Sequence, residues 1–339
     1  MKKTILTISI LFLNFFMFAK GEPDWFLGKN TVYPKSKYLC ETGSGATEDS
    51  AKSAALTALV NYIKSDVETL TQAESRITND DGDVTRSQSI NQAVTVTSKL
   101  TLSGVEYTKP FYEKKRKLYH AACYIEKEKL LTQNETVLYK YKKQITTKMD
   151  QAKEYLKAKN PLEAYFSLKE AEKISDEYFA CYYINLSLNA KRTEQKFEEF
   201  NNEVFLLDVE QDKCIKQAAI YIDVKGDFEN MVSSTIATCV KKSGLAITKD
   251  KKSARYFMVC NIEKNLTGGG EDVYGASPDL NIELKFDNEV IFSYLKEYNP
   301  EDKKILSYDL KKIEKNCAQK AIEMINDGFE QKFKDFISK

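Results

Sequence analysis

The residues able to do acid–base, metal or nucleophilic chemistry are few and scattered. His120 is the only histidine, and it sits in the alternating run Leu118-Tyr119-His120-Ala121-Ala122-Cys123. General-base catalysis and zinc binding both favour histidine, but one imidazole in a strand brings no second ligand. Seven cysteines, Cys40, Cys123, Cys181, Cys214, Cys239, Cys260 and Cys317, stand singly without a C-x-x-C pair, so neither a metal cluster nor a redox motif is indicated. Most lie in apolar runs and read as small buried hydrophobes. Cys40 with Cys123 is the one candidate disulfide. Gly43-Ser44-Gly45 precedes a helix, where free N–H groups attract anions, but the third glycine of a dinucleotide fingerprint is missing and a tight turn is the expected role. Asp80-Asp81-Gly82-Asp83 approaches a calcium loop without its closing glutamate and reads as a flexible turn. Carboxylate pairs such as Glu198-Glu199 fall on solvated helix faces. No catalytic residue, cofactor site or metal site is assigned.

The charge balance excludes another class. Fifty-one Lys and Arg against fifty Asp and Glu leave a formal charge of +1, so no field concentrates nucleic acid. The amino terminus carries an address instead. Lys2 and Lys3 precede an uncharged apolar run from Thr4 to Ala19, a charged region followed by a hydrophobic one. The run is too short to span a bilayer comfortably, and it reads as a cleavable export signal over residues 1–21, cut after Ala19 or Gly21. Cys40 is too far downstream to be lipidated at such a cut, so no lipid anchor is expected. No later stretch is long and apolar enough to cross a membrane.

The remaining chain must position whatever work is done. Residues 37–45 read as a strand. A helix follows, with Thr47 as its cap, Glu48 and Asp49 in its first turn, and Ala51, Ala55, Leu59, Ile63, Val67 and Leu70 on one stripe. Beyond a turn at 79–83 the apolar period becomes two, through Ile90, Val94, Val96, Leu100, Leu102 and Val105. A hairpin then turns around Lys114-Lys115-Arg116-Lys117 into Leu118–Ile125. Residues 126–202 are helical, broken at Lys159-Asn160-Pro161. There Ala152, Tyr155, Ala164, Leu168 and Ala171 match the small and bulky positions of a tetratricopeptide repeat, without its early tryptophan or closing proline. The last part reads as strand 218–224, a helix ending at Gly244, strands 254–262, 280–286 and 290–298, and a closing helix. Gly268-Gly269-Gly270 through Ser277-Pro278 reads as a mobile loop between strands. The fold class is therefore α+β: two small antiparallel-sheet-plus-helix domains, 22–130 and 206–339, separated by a helical, tetratricopeptide-like insert at 131–205.

Pro23-Asp24-Trp25-Phe26, Tyr33-Pro34, Tyr38-Leu39 with Thr42-Gly43-Ser44-Gly45, and Glu48 with Ala51, Ala54 and Ala55 resemble the Lpp-twenty-like lipoprotein family of bacterial envelopes. The related N-terminal domain of flagellar assembly protein T is similar. The resemblance covers about residues 22–130, and it implies one long helix laid on a small antiparallel sheet. The lipidated cysteine of that family is missing here.

Aromatic residues supply the interaction candidate. Tyr178, Phe179, Tyr182 and Tyr183 crowd both sides of one helix, so Tyr178, Tyr182 and Tyr183 are the expected partner surface. The reading that follows is an exported, non-enzymatic cell-envelope protein, in the periplasm or at the outer membrane, that binds a protein partner as a binding or assembly module. A flagellar or periplasmic assembly component shares the same fold. A hydrolase with an unrecognised carboxylate or serine site is the alternative class.

Overall fold

The computed structural model describes residues 22–29, 31–78, 104–268, 273–299 and 304–338, with backbone alone for 72–78. The fold is α+β, and it divides into two compact units. The first takes the described residues of Met1–Lys142 with Ser175–Glu199, and the second those of Lys143–Ile174 with Phe200–Lys339.

In the first unit, strand β1 (Tyr38–Gly45) pairs antiparallel with β4 (Leu118–Glu126), Tyr38 opposite Glu126 through to Gly45 opposite Tyr119. The short strands β2 (Glu106–Tyr107) and β3 (Phe111–Glu113) follow one another along the other side of β4. Helix α1 (Glu48–Thr78) packs on β1 and β4. Its stripe follows the predicted one over five positions, Ala51, Ala55, Leu59, Ile63 and Val67 all being buried, whereas Leu70 is half-buried and Thr71 takes the buried place beside it. Its start is a reciprocal cap, in which Ser50 N–H donates to Thr47 Oγ1 (3.2 Å) and Thr47 N–H donates to Ser50 Oγ (2.9 Å).

The glycines of Gly43-Ser44-Gly45 have a different role from the tight turn expected. They are strand residues, opposite Ala121, His120 and Tyr119. A Cβ on Gly43 would lie 2.1 Å from the backbone nitrogen of Ala55, so glycine here lets α1 sit directly on the strand. The expected turn at 79–83 and strand residues 90–102 lie outside the described residues.

Helices α2 (Lys127–Lys157), α3 (Pro161–Leu188), α4 (Ala190–Phe205) and α5 (Leu207–Gln217) fill the middle of the chain, and the unit boundaries fall inside α2, α3 and α4. Asn160 Oδ1 accepts from Glu163 N–H (3.3 Å), so Asn160 caps α3 with Pro161 in its first turn. Of the repeat-like positions, Ala152, Ala164, Leu168 and Ala171 are buried, whereas Tyr155 is exposed.

The second unit holds a four-stranded sheet in the order β10-β9-β6-β5, formed by β5 (Ile220–Lys225), β6 (Tyr256–Glu263), β9 (Asp279–Phe286) and β10 (Glu289–Lys296). It departs from a purely antiparallel sheet at one pair: β5 and β6 run parallel, with helix α6 (Met231–Lys242) as the crossover between them. Asp227 caps α6, its carboxylate accepting from Val232 N–H (2.9 Å) and Ser233 N–H (3.0 Å). Helix α7 (Leu310–Met324), a π-helical turn (Ile325–Phe329) and α8 (Glu330–Ile337) close the chain. Ile236, Met258, Cys260, Ile282, Leu284, Ala321, Phe329 and Phe333 form one fully buried core. The glycine-rich segment read as a mobile loop instead contributes β7 (Thr267–Gly268) and β8 (Tyr274–Ala276), which join β11 (Ile305–Ser307) in a small sheet, and residues 269–272 lie outside the described residues.

Candidate functional site

Two of the predicted sites are corrected by the coordinates. Tyr178, Tyr182 and Tyr183 are 0 %, 7 % and 4 % exposed, so they are core and offer no partner surface. Every residue from 178 to 185 is buried, which is why aromatic side chains can occupy all sides of that helix. Tyr178 meets Phe179 and Phe197 edge-to-face, with ring centroids 5.3 and 6.4 Å apart. The proposed disulfide also fails, although its strands are neighbours. Cys40 lies opposite Tyr124 and Cys123 opposite Glu41, a one-residue offset that sends the two side chains to opposite faces of the sheet. All seven cysteines are free. Burial pushes the Cys40 thiol up to about 11 and the Cys123 thiol up to about 12.

His120 is partnered within its own sheet. Its Nε2 lies 3.1 Å from Glu113 Oε2, and the Phe26 ring packs against it at 4.8 Å. Among the described residues no group of three or more His, Cys, Asp or Glu is placed to hold a metal ion.

The structure instead assembles a site along the β2–β3 edge of this sheet. The chain enters through a turn in which Phe26 and Leu27 N–H donate to Pro23 C=O, Gly28 takes a positive φ of 69°, and Thr31 Oγ1 donates to Asp24 Oδ2 (2.6 Å). This clipped loop is pinned to the sheet by two aromatic contacts. Phe26 packs on Phe111 (4.9 Å), and Tyr33 packs on Tyr124 at 4.0 Å. A hydrogen bond with Tyr33, aided by burial and by Glu106, holds the Tyr124 phenol above its ordinary range.

Across from the loop, Thr108 spaces β2 from β3. Its N–H donates to Ala122 C=O (3.0 Å) while its Oγ1 accepts from Ala122 N–H (2.9 Å). Tyr107, Lys109 and Pro110 then line the outer side. Between loop and strands lies a cleft of about 520 Å³, bounded by Pro23, Trp25, Tyr33, Tyr107, Pro110 and Phe111, with Lys109 as the cation in its lining. Trp25, the single tryptophan, is 9 % exposed, and Tyr107 and Val32 at the rim are 37 % and 60 % exposed. Such an arrangement presents flat apolar faces and a few polar atoms to whatever enters it.

A second hollow, of about 250 Å³, lies in the other unit near Arg255. That guanidinium is already engaged: it donates to Ala158 C=O (2.7 Å) and Lys159 C=O (3.0 Å) and pairs with Asp287. It closes the C-terminus of α2 and leaves little for a ligand.

No family model matches the chain, and no curated protein matches it significantly. Among solved structures it is similar to a secreted protein of Helicobacter pylori, at 12 % identity over 84 % of this chain and 97 % of that one, with a TM-score of 0.36. No helix among the described residues is long and apolar enough to cross a membrane.

Proposed function

We propose that the protein is exported to the cell envelope and acts there by binding, with the aromatic cleft of the first unit holding an extended segment of a partner polypeptide. The carrying observation is the cleft itself, walled by Trp25, Tyr33, Tyr107, Phe111 and two prolines. Grooves lined by aromatic rings take extended, proline-containing peptides because such chains are already ordered before they bind. Lys109 adds a preference for a carboxylate on that segment. Export rests on the charged and apolar opening run of residues 1–21.

The single tryptophan provides the test. Titrating the mature protein with a library of acidic, proline- and tyrosine-containing dodecapeptides should shift Trp25 fluorescence for a subset of sequences. Tyr107→Ala should weaken those hits at least about tenfold, in keeping with loss of one aromatic anchor. Saturable response to glycan fragments with none to peptides would replace the polypeptide reading by a carbohydrate one. Unchanged affinity in Tyr107→Ala would remove the cleft.

A further inference from the structure

The hairpin between β3 and β4 is a different feature from the cleft, and its composition is not explained by the needs of a turn. The four residues that connect Glu113 to Leu118 are Lys114, Lys115, Arg116 and Lys117, all exposed. Lys117 takes φ 55°, a left-handed position where Gly or Asn is the ordinary choice. Four adjacent like charges also repel one another. Lys159 at φ 56° and Glu229 at φ 49° share that conformation at other turns, so the run of four cations, not the backbone, is the feature that folding leaves unexplained.

Glu113, the acid beside these cations, is turned into the protein: its carboxylate meets His120 at 3.1 Å and Arg116 at 3.7 Å, with 17 % of the side chain exposed. Among the described residues Lys114, Lys115 and Lys117 make no ion pair. At the base of the tip Tyr112 and Tyr119 pair across the strands with ring centroids 4.9 Å apart, and Tyr112 is 44 % exposed. The tip residues are exposed and line none of the cavities described, whereas small ligands are held in concave sites. Four exposed cations at a hairpin tip, next to a tyrosine pair, match a flat anionic plane whose edge accepts aromatic rings.

We propose that the Lys114–Lys117 hairpin is a membrane-docking element, in which the four cations meet the phosphates of anionic lipid headgroups and Tyr112 and Tyr119 approach the interfacial layer. The contact is electrostatic and reversible, and involves no inserted helix. It shares with peptide binding in the cleft only the export of the chain; occupation of the cleft is no part of it, and the two can fail separately.

The test is sedimentation of the mature protein with vesicles of phosphatidylglycerol and, in parallel, of phosphatidylcholine. Each surface cation is worth roughly fivefold in partitioning to an anionic leaflet, so four are worth several hundred-fold. Binding to phosphatidylglycerol should exceed binding to phosphatidylcholine by at least about a hundredfold, and fall steeply between about 50 and about 500 mM salt as the Debye length shortens. The quadruple variant K114Q/K115Q/R116Q/K117Q should lose that preference, and K114Q/K115Q should lose about 25-fold of it. The double variant serves if the quadruple one folds poorly. Equal binding to the two vesicles, unchanged binding in the folded variants, or displacement by inorganic phosphate at matched ionic strength would each overturn the proposal, the last because it indicates a single-phosphate site.

Discussion

Replacing Gly43 by alanine should strongly destabilise the first unit. The new Cβ would stand 2.1 Å from Ala55 N, 2.5 Å from Ala54 C and 2.7 Å from Ala51 O. Ordinary contact begins at 3.4 Å, so the helix and strand must part by about 1.3 Å. All three opposing atoms are backbone, and no rotamer can relieve them. A shift of that size lifts α1 off the surface on which Ala51, Ala55 and Leu59 are wholly buried. Overpacking costs about 1–3 kcal/mol where side chains can adjust; here the cost should be about 3 kcal/mol or more. An unhindered strand glycine would respond the other way, gaining about 0.5–1 kcal/mol as alanine. The sign therefore separates the two cases. Urea unfolding followed through Trp25, which belongs to the same unit, reads it directly. At a slope of about 2 kcal/mol per molar urea, the midpoint should fall by about 1.5 M. Ala55→Gly added to the variant should not restore it, because the closest clash is with a main-chain nitrogen. A midpoint unchanged or raised by Gly43→Ala would refute the close-approach argument.

Three further outcomes follow from burial and charge. Tyr178→Ser, at a fully buried ring, should cost about 3 kcal/mol and lower the thermal midpoint; a variant as stable as the parent would contradict its place in the core. Burial would raise the Glu135 carboxyl, but hydrogen bonds from Arg192 (2.8 Å) and Lys196 (2.8 Å) more than offset it and hold it below 4.5. That stabilisation is present above pH 4.5 and is lost as pH falls through the lower folded value. Glu135→Gln should cost about 1–2 kcal/mol at pH 7, since both cations are partly solvated, and flatten the acid limb of a stability–pH curve. Burial raises Cys40 and Cys214 to about 11 and Cys123, Cys181 and Cys260 to about 12, from an ordinary 9.0. Neutral thiols favour the folded state, so their contribution is intact below pH 9 and is lost as pH climbs toward 12. Urea midpoints measured from pH 7 to pH 11 should be level and then fall; a flat curve through pH 11 would contradict the burial of these thiols.

The α+β class and the stripe of α1 were legible because they rest on periodicity. Ala51 to Val67 recur at helical spacing, whereas the alternation expected of β4 is interrupted by Ala121, Ala122 and Cys123, which are all buried. Features set by distant partners were not. Gly43 looks like a turn glycine until Ala55 is laid against it. Tyr178 to Tyr183 suggest a surface because a stripe-based reading assumes one buried side, and nothing local states that this helix is enclosed. Strand direction is equally non-local: β5 and β6 carry ordinary apolar alternation, and only the crossover of α6 makes them parallel. Cys40 and Cys123 illustrate the limit most closely. Their strands do pair, as expected, but the register is off by one residue, and in a sheet one residue is the difference between the two faces. The cleft escaped because its walls come from residues 23–33 and 107–111, which fold together from far apart in the chain. Pro23-Asp24-Trp25 and Lys109-Pro110-Phe111 were its visible traces.

The account stands or falls on whether the cleft is occupied in the envelope. A photo-crosslinking amino acid placed at Val32, on the rim, and separately at Tyr308, an exposed position of the other unit, allows this to be asked in intact cells. Position 32 should give one discrete adduct in the exported fraction, lost when Tyr107→Ala is added and competed by a peptide that shifts Trp25 fluorescence, while position 308 gives none. No adduct at 32, an equal adduct at 308, or full-length protein retained in the cytoplasm with Met1 intact would contradict it.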